Sequence, residues 1–275
     1  MEGIFAIWQR DILKFFRDRS RLIGSFAMPF MFLILFGSGM SGAMSSMLGG
    51  SEAGALRDFD FVEFMFPGII GMTVFNTAIF SALSVVQDKE FGYMREILVS
   101  PMSRVSIAIG KVLGGSTVAV FQGLLMLVFV PFIGVSISFV TIIQLIPTMF
   151  LVAFAISSFG LLIASTLKTT QGFQMVIQVL IFPMLFLSGA LFPLNGLPFW
   201  MDILVKINPL TYSVDMFKKI VFDIDAMTPE LIEAMGLNLS IFNHVISFTE
   251  EVLVVGAISL VFVILATYKF STTEA

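Results

Sequence analysis

The chain has no cysteine and a single histidine in 275 residues. Without cysteine there is no disulfide framework, no thiolate metal site and no cysteine nucleophile. The histidine, His244, sits outside any H-E-x-x-H pattern and reads as an ordinary surface residue. No G-x-S-x-G occurs, and no pair of carboxylates falls within an apolar run. The phosphate cradle G-x-x-x-x-G-K-[ST] is missing as well, since Gly110-Lys111 is followed by Val112. The chain is therefore not read as an enzyme: no catalytic residue, no bound cofactor and no metal site is expected of it. Charge is scarce too. Charged residues make up 12% of the sequence, against about 25% in soluble domains. A net charge of -4 with no concentrated basic face excludes a nucleic-acid partner.

What is abundant is apolar. Hydrophobic residues reach 57%, with 32 Phe and 18 Met, and the mean hydropathy is +1.00. A helix rises about 1.5 Å per residue, so a hydrocarbon core about 30 Å thick needs roughly 20 uncharged residues to cross it. Six segments qualify, near Leu22–Met40, Phe64–Val86, Val112–Phe132, Val140–Leu167, Phe173–Phe192 and Val252–Tyr268. Pro131, Gly134, Ser136 and Ser138 break the long run between Lys111 and Lys168 into a hairpin. The fold class expected is all-α, a polytopic membrane protein with six transmembrane helices spread over residues 22–275.

Placing the N-terminus in the cytoplasm puts Arg10, Lys14, Arg17, Arg19, Arg21, Lys89, Arg95, Arg104, Lys111, Lys168 and Lys269 inside. Arg57, Lys206, Lys218 and Lys219 are left outside. That bias predicts a multi-pass protein of the cell membrane with both termini cytoplasmic. Residues 1–21 carry Ile4, Phe5, Trp8, Ile12, Phe15 and Phe16 at helical spacing, with Arg10, Lys14 and Arg17 elsewhere on the wheel. This predicts an amphipathic helix lying flat in the inner interface, Trp8 at headgroup depth, with Trp8, Arg10, Phe15 and Arg17 as its marked residues. A signal peptide is the competing outline, with Gly37, Ser38 and Gly39 after the apolar run.

No Asp, Glu, Lys or Arg lies well within the six apolar segments, whereas ion-coupled carriers place ionisable groups at mid-membrane. Driving energy is expected from outside the bilayer. The polar residues within spans are Asn76, Gln122, Gln144, Gln174 and Gln178. Gln171, Gln174 and Gln178 share one helical face, which offers amides to a translocation path or a twofold axis, or serves as interhelical glue. Asn76, Gln174, Gln178 and Phe182 are the candidates for the path. Gly110 and Gly114 form a G-x-x-x-G that suits close helix packing. In the outer segment, about 193–250, Thr228, Pro229 and Glu230 have the form of a helix start.

Residues Gln87 to Arg104 interleave charges with Phe91, Tyr93, Met94, Ile97, Leu98 and Val99, a short amphipathic element bounded by Pro101. Asp88-Lys89-Glu90-Phe91-Gly92-Tyr93-Met94-Arg95-Glu96-Ile97-Leu98-Val99-Ser100-Pro101 resembles the motif after span two in type-2 ABC exporter permeases, particularly the daunorubicin-resistance branch. Ser188 to Pro193 with Leu197 to Trp200, and Asn208 to Asp215, fit the same family. The resemblance implies the type-2 ABC exporter fold and a coupling helix at about 88–101, with Asp88, Glu90, Phe91, Gly92, Arg95, Glu96, Leu98 and Pro101 against an ATPase subunit. It implies short re-entrant helices at the outer mouth, marked by Pro193, Pro198, Asn208, Pro209 and Tyr212. ATP and Mg would be bound by that partner, and a second copy or a paralogous permease would complete the pair. The function expected is an ATP-driven exporter of a hydrophobic or amphipathic, drug- or lipid-like substrate. A passive channel or scaffold, an exporter of small cations and a membrane-embedded enzyme acting on lipid remain the rival readings.

Overall fold

The computed structural model describes residues 2–18, 61–100, 102–133, 137–191, 194, 197–222, 232, 237, 239–241 and 244–272, with eight positions between 23 and 35. Most of the expected first span, the outer loop from Ser41, Pro101, Phe192, Pro193 and the helix start at Thr228 lie outside them.

The described residues are overwhelmingly helical. In chain order they form α1 (Glu2–Arg17), α2 (Phe61–Ser81), α3 (Leu83–Glu90), α4 (Tyr93–Val99) and α5 (Arg104–Met126). These are followed by α6 (Val130–Ile133), α7 (Phe139–Thr166), α8 (Thr170–Phe186), α9 (Phe199–Ile207), α10 (Pro209–Phe222) and α11 (Phe248–Thr272). An antiparallel ladder pairs Ser240 with Val245 and Ile241 with His244.

Four runs are long and apolar enough to cross a membrane: Val62–Glu90, Arg104–Phe129, Phe139–Thr166 and Phe248–Thr272. Six crossings were expected, and the described residues supply four of that length. The fifth, α8, has 17 residues, a rise of about 26 Å against the roughly 30 Å of a hydrocarbon core. It ends early because Pro183 is followed by the turn at Leu187 to Ala190. Of the residues expected to break the hairpin, Ser138 caps α7 by accepting from Val140 N, Pro131 lies within α6, and Gly134 and Ser136 lie outside the described residues.

α2 is the central post. Phe64, Met65, Phe66, Ile69, Ile70, Val74, Phe75 and Ile79 are all fully buried, the pattern of a helix apolar on every side. α5, α7 and α10 pack around it, and α11 packs against α7. Phe159 stacks on Phe262 at 4.9 Å across that last contact. α2 and α3 form one rod with an irregularity at Ala82, where Ser81 Oγ donates to Ala78 O and Ser84 Oγ to Ser81 O. Serine back-bonding of this kind bends helices.

α1 packs against protein. It runs lengthwise beside α5 in the same direction, so Gly3 meets Met102, Ile7 meets Gly110, Asp11 meets Gly114 and Phe16 meets Phe121. The reason is the G-x-x-x-G: a Cβ on Gly110 would come within 2.9 Å of Ile4 O. Two absent side chains make a trough that admits the α1 backbone, so Ile7 and Phe15 are buried against protein. The Trp8 indole is likewise engaged, its Nε1 donating to Thr117 Oγ1 at 3.0 Å.

Candidate functional site

The charged loop after α2 resolves into two parts. Asp88, Lys89 and Glu90 belong to the last turn of α3, so the short helix starts at Tyr93 and not at Asp88. Gly92 makes the corner with φ of 83°, a left-handed value that glycine adopts without cost. Met94 points inward and is buried, while Phe91, Tyr93 and Val99 are 67%, 55% and 86% exposed. Glu96 is exposed beside them. The side chains of Arg95 and Leu98, like Pro101, lie outside the described residues. The result is a knob with one inward anchor, Met94, and several exposed apolar side chains.

Charges on either side of the knob fasten it to distant helices. The Lys89 ammonium donates to Ala164 O and Ser165 O, each at 2.9 Å, and so caps the C-terminal end of α7. The Glu90 carboxylate accepts from Thr170 N at 2.8 Å and from the Thr170 hydroxyl, at the first turn of α8. Each charge has the sign that the helix end favours. Arg104, on the other flank, donates to Ser271 O at 2.7 Å, near the end of α11.

Behind the knob lies an ionic network that the sequence did not reveal. Lys111 Nζ is 3.1 Å from both Asp11 Oδ1 and Asp88 Oδ2, and donates to Ser84 Oγ at 3.1 Å. Arg10 closes the set on Asp88 Oδ1 at 3.1 Å. Lys111 and Asp88 are almost wholly buried. Lys111 lies inside α5 because the helix begins at Arg104, before the charge-free run. Burial lowers the Lys14 pKa below its ordinary value; Lys111 and Arg10 reinforce this and Asp88 opposes it.

The amides divide. Gln122 is fully buried and accepts from the Thr77 hydroxyl, which makes it a tie between α5 and α2. Gln171, Gln174 and Gln178 are all exposed on α8, on a side shared with Phe182, which is 65% exposed. Asn76 is half-buried on α2, so it belongs to a different helix from the other candidates for a path.

The short helices α9 and α10 form a shelf. Pro198 precedes α9 and Pro209 opens α10, positions where a missing N–H costs nothing. Asn208 between them donates to Met184 O at 2.7 Å and accepts from Leu210 N at 3.1 Å. The Tyr212 hydroxyl donates to Lys206 O at 2.6 Å, and Thr211 Oγ1 to Leu187 O at 3.0 Å, tying the shelf to the end of α8. Deeper in α10, Lys218 Nζ donates to Gly189 O at 2.6 Å and lies 3.9 Å from the centre of the Phe64 ring. Burial pushes the Lys218 pKa down to about 7, with Asp215 opposing. Lys219 pairs with Asp215 at 2.9 Å and Glu251 at 2.7 Å. His244, expected as a surface residue, is exposed and bonded to Glu250 at 3.0 Å.

Among the described residues no group of three or more His, Cys, Asp or Glu is placed to hold a metal. A family model described as ABC-2 type transporter matches residues 2–222. The protein ycf38 of Cyanophora paradoxa, described as a transport permease, is 30% identical over 217 residues, covering 78% of this chain and 72% of its own. The inner membrane transport permease YadH of Escherichia coli strain K12 is 30% identical over 220 residues, 78% of this chain and 80% of its own. The probable multidrug ABC transporter permease YbhR of the same strain is 32% identical over 170 residues, 59% of this chain. That match covers 45% of YbhR, less than half its length.

Proposed function

The chain belongs to the ABC-2 type transporter family, and on that premise we propose that it is the permease half of an ATP-driven exporter with α4 as its coupling helix. As a transport permease subunit it is not catalytic by itself. ATP and Mg bind to a separate cytoplasmic ATPase, and two copies of this chain meet around the path. Both termini face the cytoplasm of a cell-membrane protein. Support comes chiefly from Phe91 in the turn after α3 and from Tyr93 and Val99 on α4, three large apolar side chains exposed in one short segment outside the spans. Apolar clusters of that kind on a watery surface mark a protein contact. Glu96 adds a charge at its rim.

Closure of the ATPase pair presses on α4. The load enters α3 through the Gly92 corner and passes by Lys89 and Glu90 to α7 and α8. α8 carries the exposed Gln174, Gln178 and Phe182, so a tilt of α8 alters the surface offered to cargo or to the second copy. A path lined by Phe, Met and a few amides suits a hydrophobic or amphipathic substrate, drug- or lipid-like.

The cysteine-free sequence makes the test direct. Phe91→Cys, the sole thiol in the permease, is expected to cross-link to a co-expressed ATPase subunit, and Phe91→Ala to lower vesicle-coupled ATP hydrolysis several-fold without loss of permease in the membrane. Normal hydrolysis and transport with Phe91→Ala, or a thiol that labels freely in the assembled complex, would refute the coupling role.

A further inference from the structure

The side chains of Asp215 and Glu251 meet between α10 and α11 with one ammonium for the two of them. Lys219 Nζ donates to Glu251 Oε1 at 2.7 Å and to Ile246 O at 2.8 Å, and lies 2.9 Å from Asp215 Oδ2. Glu251 is wholly buried and Asp215 is 6% exposed. One oxygen of each acid, Asp215 Oδ2 and Glu251 Oε2, is shut off from water and accepts no hydrogen bond. The two carboxyl groups nevertheless stand within hydrogen-bonding reach of each other. Asp88 has the opposite arrangement, with Lys111 and Arg10 as two cations for one carboxylate.

Neighbouring charges do not correct the imbalance. Lys218 spends its ammonium on Gly189 O and the Phe64 ring, and among the described residues it forms no ion pair with either acid. Tyr212, also on α10, gives its hydroxyl to Lys206 O. On α11 the adjacent Glu250 is exposed and taken by His244 and Ser247. α2 brings Glu63, half-buried in its first turn, and α9 brings Asp202 and Lys206, paired with each other. α7 and α8 carry no ionisable side chain. Those of α5, Arg104 and Lys111, are engaged by Ser271 and by Asp11 and Asp88.

Two ionised carboxylates side by side and out of water, with a single counter-charge, leave one charge uncompensated, which burial penalises. One proton removes the deficit. It cancels the surplus charge, turns one carboxyl oxygen into a donor and gives the facing oxygen a hydrogen bond to accept. A metal ion would need more oxygen ligands than two carboxylates supply, and Lys219 already stands between them. We propose that Asp215 and Glu251 form a proton-binding site, in which one proton is held between the two carboxyl groups near neutral pH and joins α10 to the start of α11. The proton is taken from solvent and returned to it; its release sets two like charges against each other across the contact. This inference goes beyond the exporter reading and involves neither the coupling helix nor the clamp on α7 and α8.

Infrared spectroscopy of the full chain in detergent separates a protonated carboxylic acid from an ionised carboxylate by its carbonyl stretch. At pH 6.5 ordinary carboxyls, with pKa values of about 4, are ionised. The expected result is one protonated carboxyl per chain at that pH, with a band that shifts on exchange into heavy water. Glu251→Gln and Asp215→Asn each replace an acid by the neutral amide of its own shape. Each should abolish the band, because the acid that remains has Lys219 to itself. Asp202→Asn on α9 should leave it unchanged. Absence of a protonated carboxyl from the native chain at pH 6.5 overturns the inference without recourse to any variant. So does a band that survives either Glu251→Gln or Asp215→Asn, which would place the proton on one acid alone or on another such as Glu63. The measurement needs no ATPase partner, so its failure leaves the exporter reading standing, and the reverse also holds.

Discussion

Lys89 and Glu90 are neighbours in sequence, yet each closes a different helix: Lys89 donates to the terminal carbonyls of α7, and Glu90 accepts from the first turn of α8. The connection between those two helices is only three residues, Leu167 to Thr169, and both of its ends are held from α3. A displacement of α4 thus reaches three rods at one point.

Removing the clamp should loosen that point first. Hydrogen bonds from a charged donor contribute about 1.5–3 kcal/mol. Lys89→Met is expected to speed amide exchange at residues 164–172 by at least tenfold, with the centre of α2 unchanged. Glu90→Gln should affect the Thr170 end alone, and Lys89→Arg should restore most of the protection. Exchange mass spectrometry on the purified chain reads all three, and uniform acceleration over the whole chain would refute a local clamp.

The ionic network behaves differently, because it is buried. Lys111→Met leaves Asp11 without a partner and Asp88 with Arg10 alone. Breaking a buried pair by removing one partner costs about 3–5 kcal/mol. A fall in the melting temperature in detergent is expected, and a smaller fall when Asp11→Asn is combined with Lys111→Met. Strict additivity of the two changes would argue against their coupling.

The trough under α1 can be filled. Gly110→Val puts a side chain where Ile4 O and Ile7 now sit, within about 3 Å of both. The expected outcome is displacement of α1 with the rest of the bundle intact. A thiol pair at Trp8 and Thr117, which touch in the native packing, should cross-link in the parent and lose at least most of that yield in the valine variant.

Lys218 makes the shelf sensitive to pH. Its folded pKa is about 7 against an ordinary 10.5, so between those values the unfolded form holds a proton that the folded form does not. Stability therefore rises as pH rises through this window, and falls as pH drops toward 7 and the buried amine charges. Thermal unfolding followed by Trp200 in a Trp8→Phe chain should show a melting temperature several degrees higher at pH 9.5 than at pH 7. Lys218→Met should flatten that slope; an unchanged slope would assign the effect elsewhere.

Much of this architecture could be read from the residues. The charge-free runs locate the four described helices long enough to cross a membrane, and Ser138 and Pro209 stand at helix starts. Gly110 and Gly114 announce a tight seam, although nothing in one sequence says which helix fills it. The interleaved charges after the second apolar run mark a short amphipathic element, but they do not show where its helix starts, because α3 carries Asp88, Lys89 and Glu90 as a continuation of that run. Those three charges are spent on groups 23 or more positions away, and such pairings leave no local spacing to find. Lys111 was hidden for a related reason. A lysine before an apolar run looks like a flank until Asp11 and Asp88 are seen to enclose it.

The stacking of Phe159 on Phe262 joins α7 to a helix synthesised much later. A ribosome delivers α11 roughly a hundred residues after α7, so for several seconds of synthesis the α7 surface has only lipid or an insertion factor to face. Arg104 waits as long for its carbonyl on Ser271. Completion of this frame is thus a timed event, set by the arrival of α11, and quality control that samples exposed membrane surface has its window before that arrival.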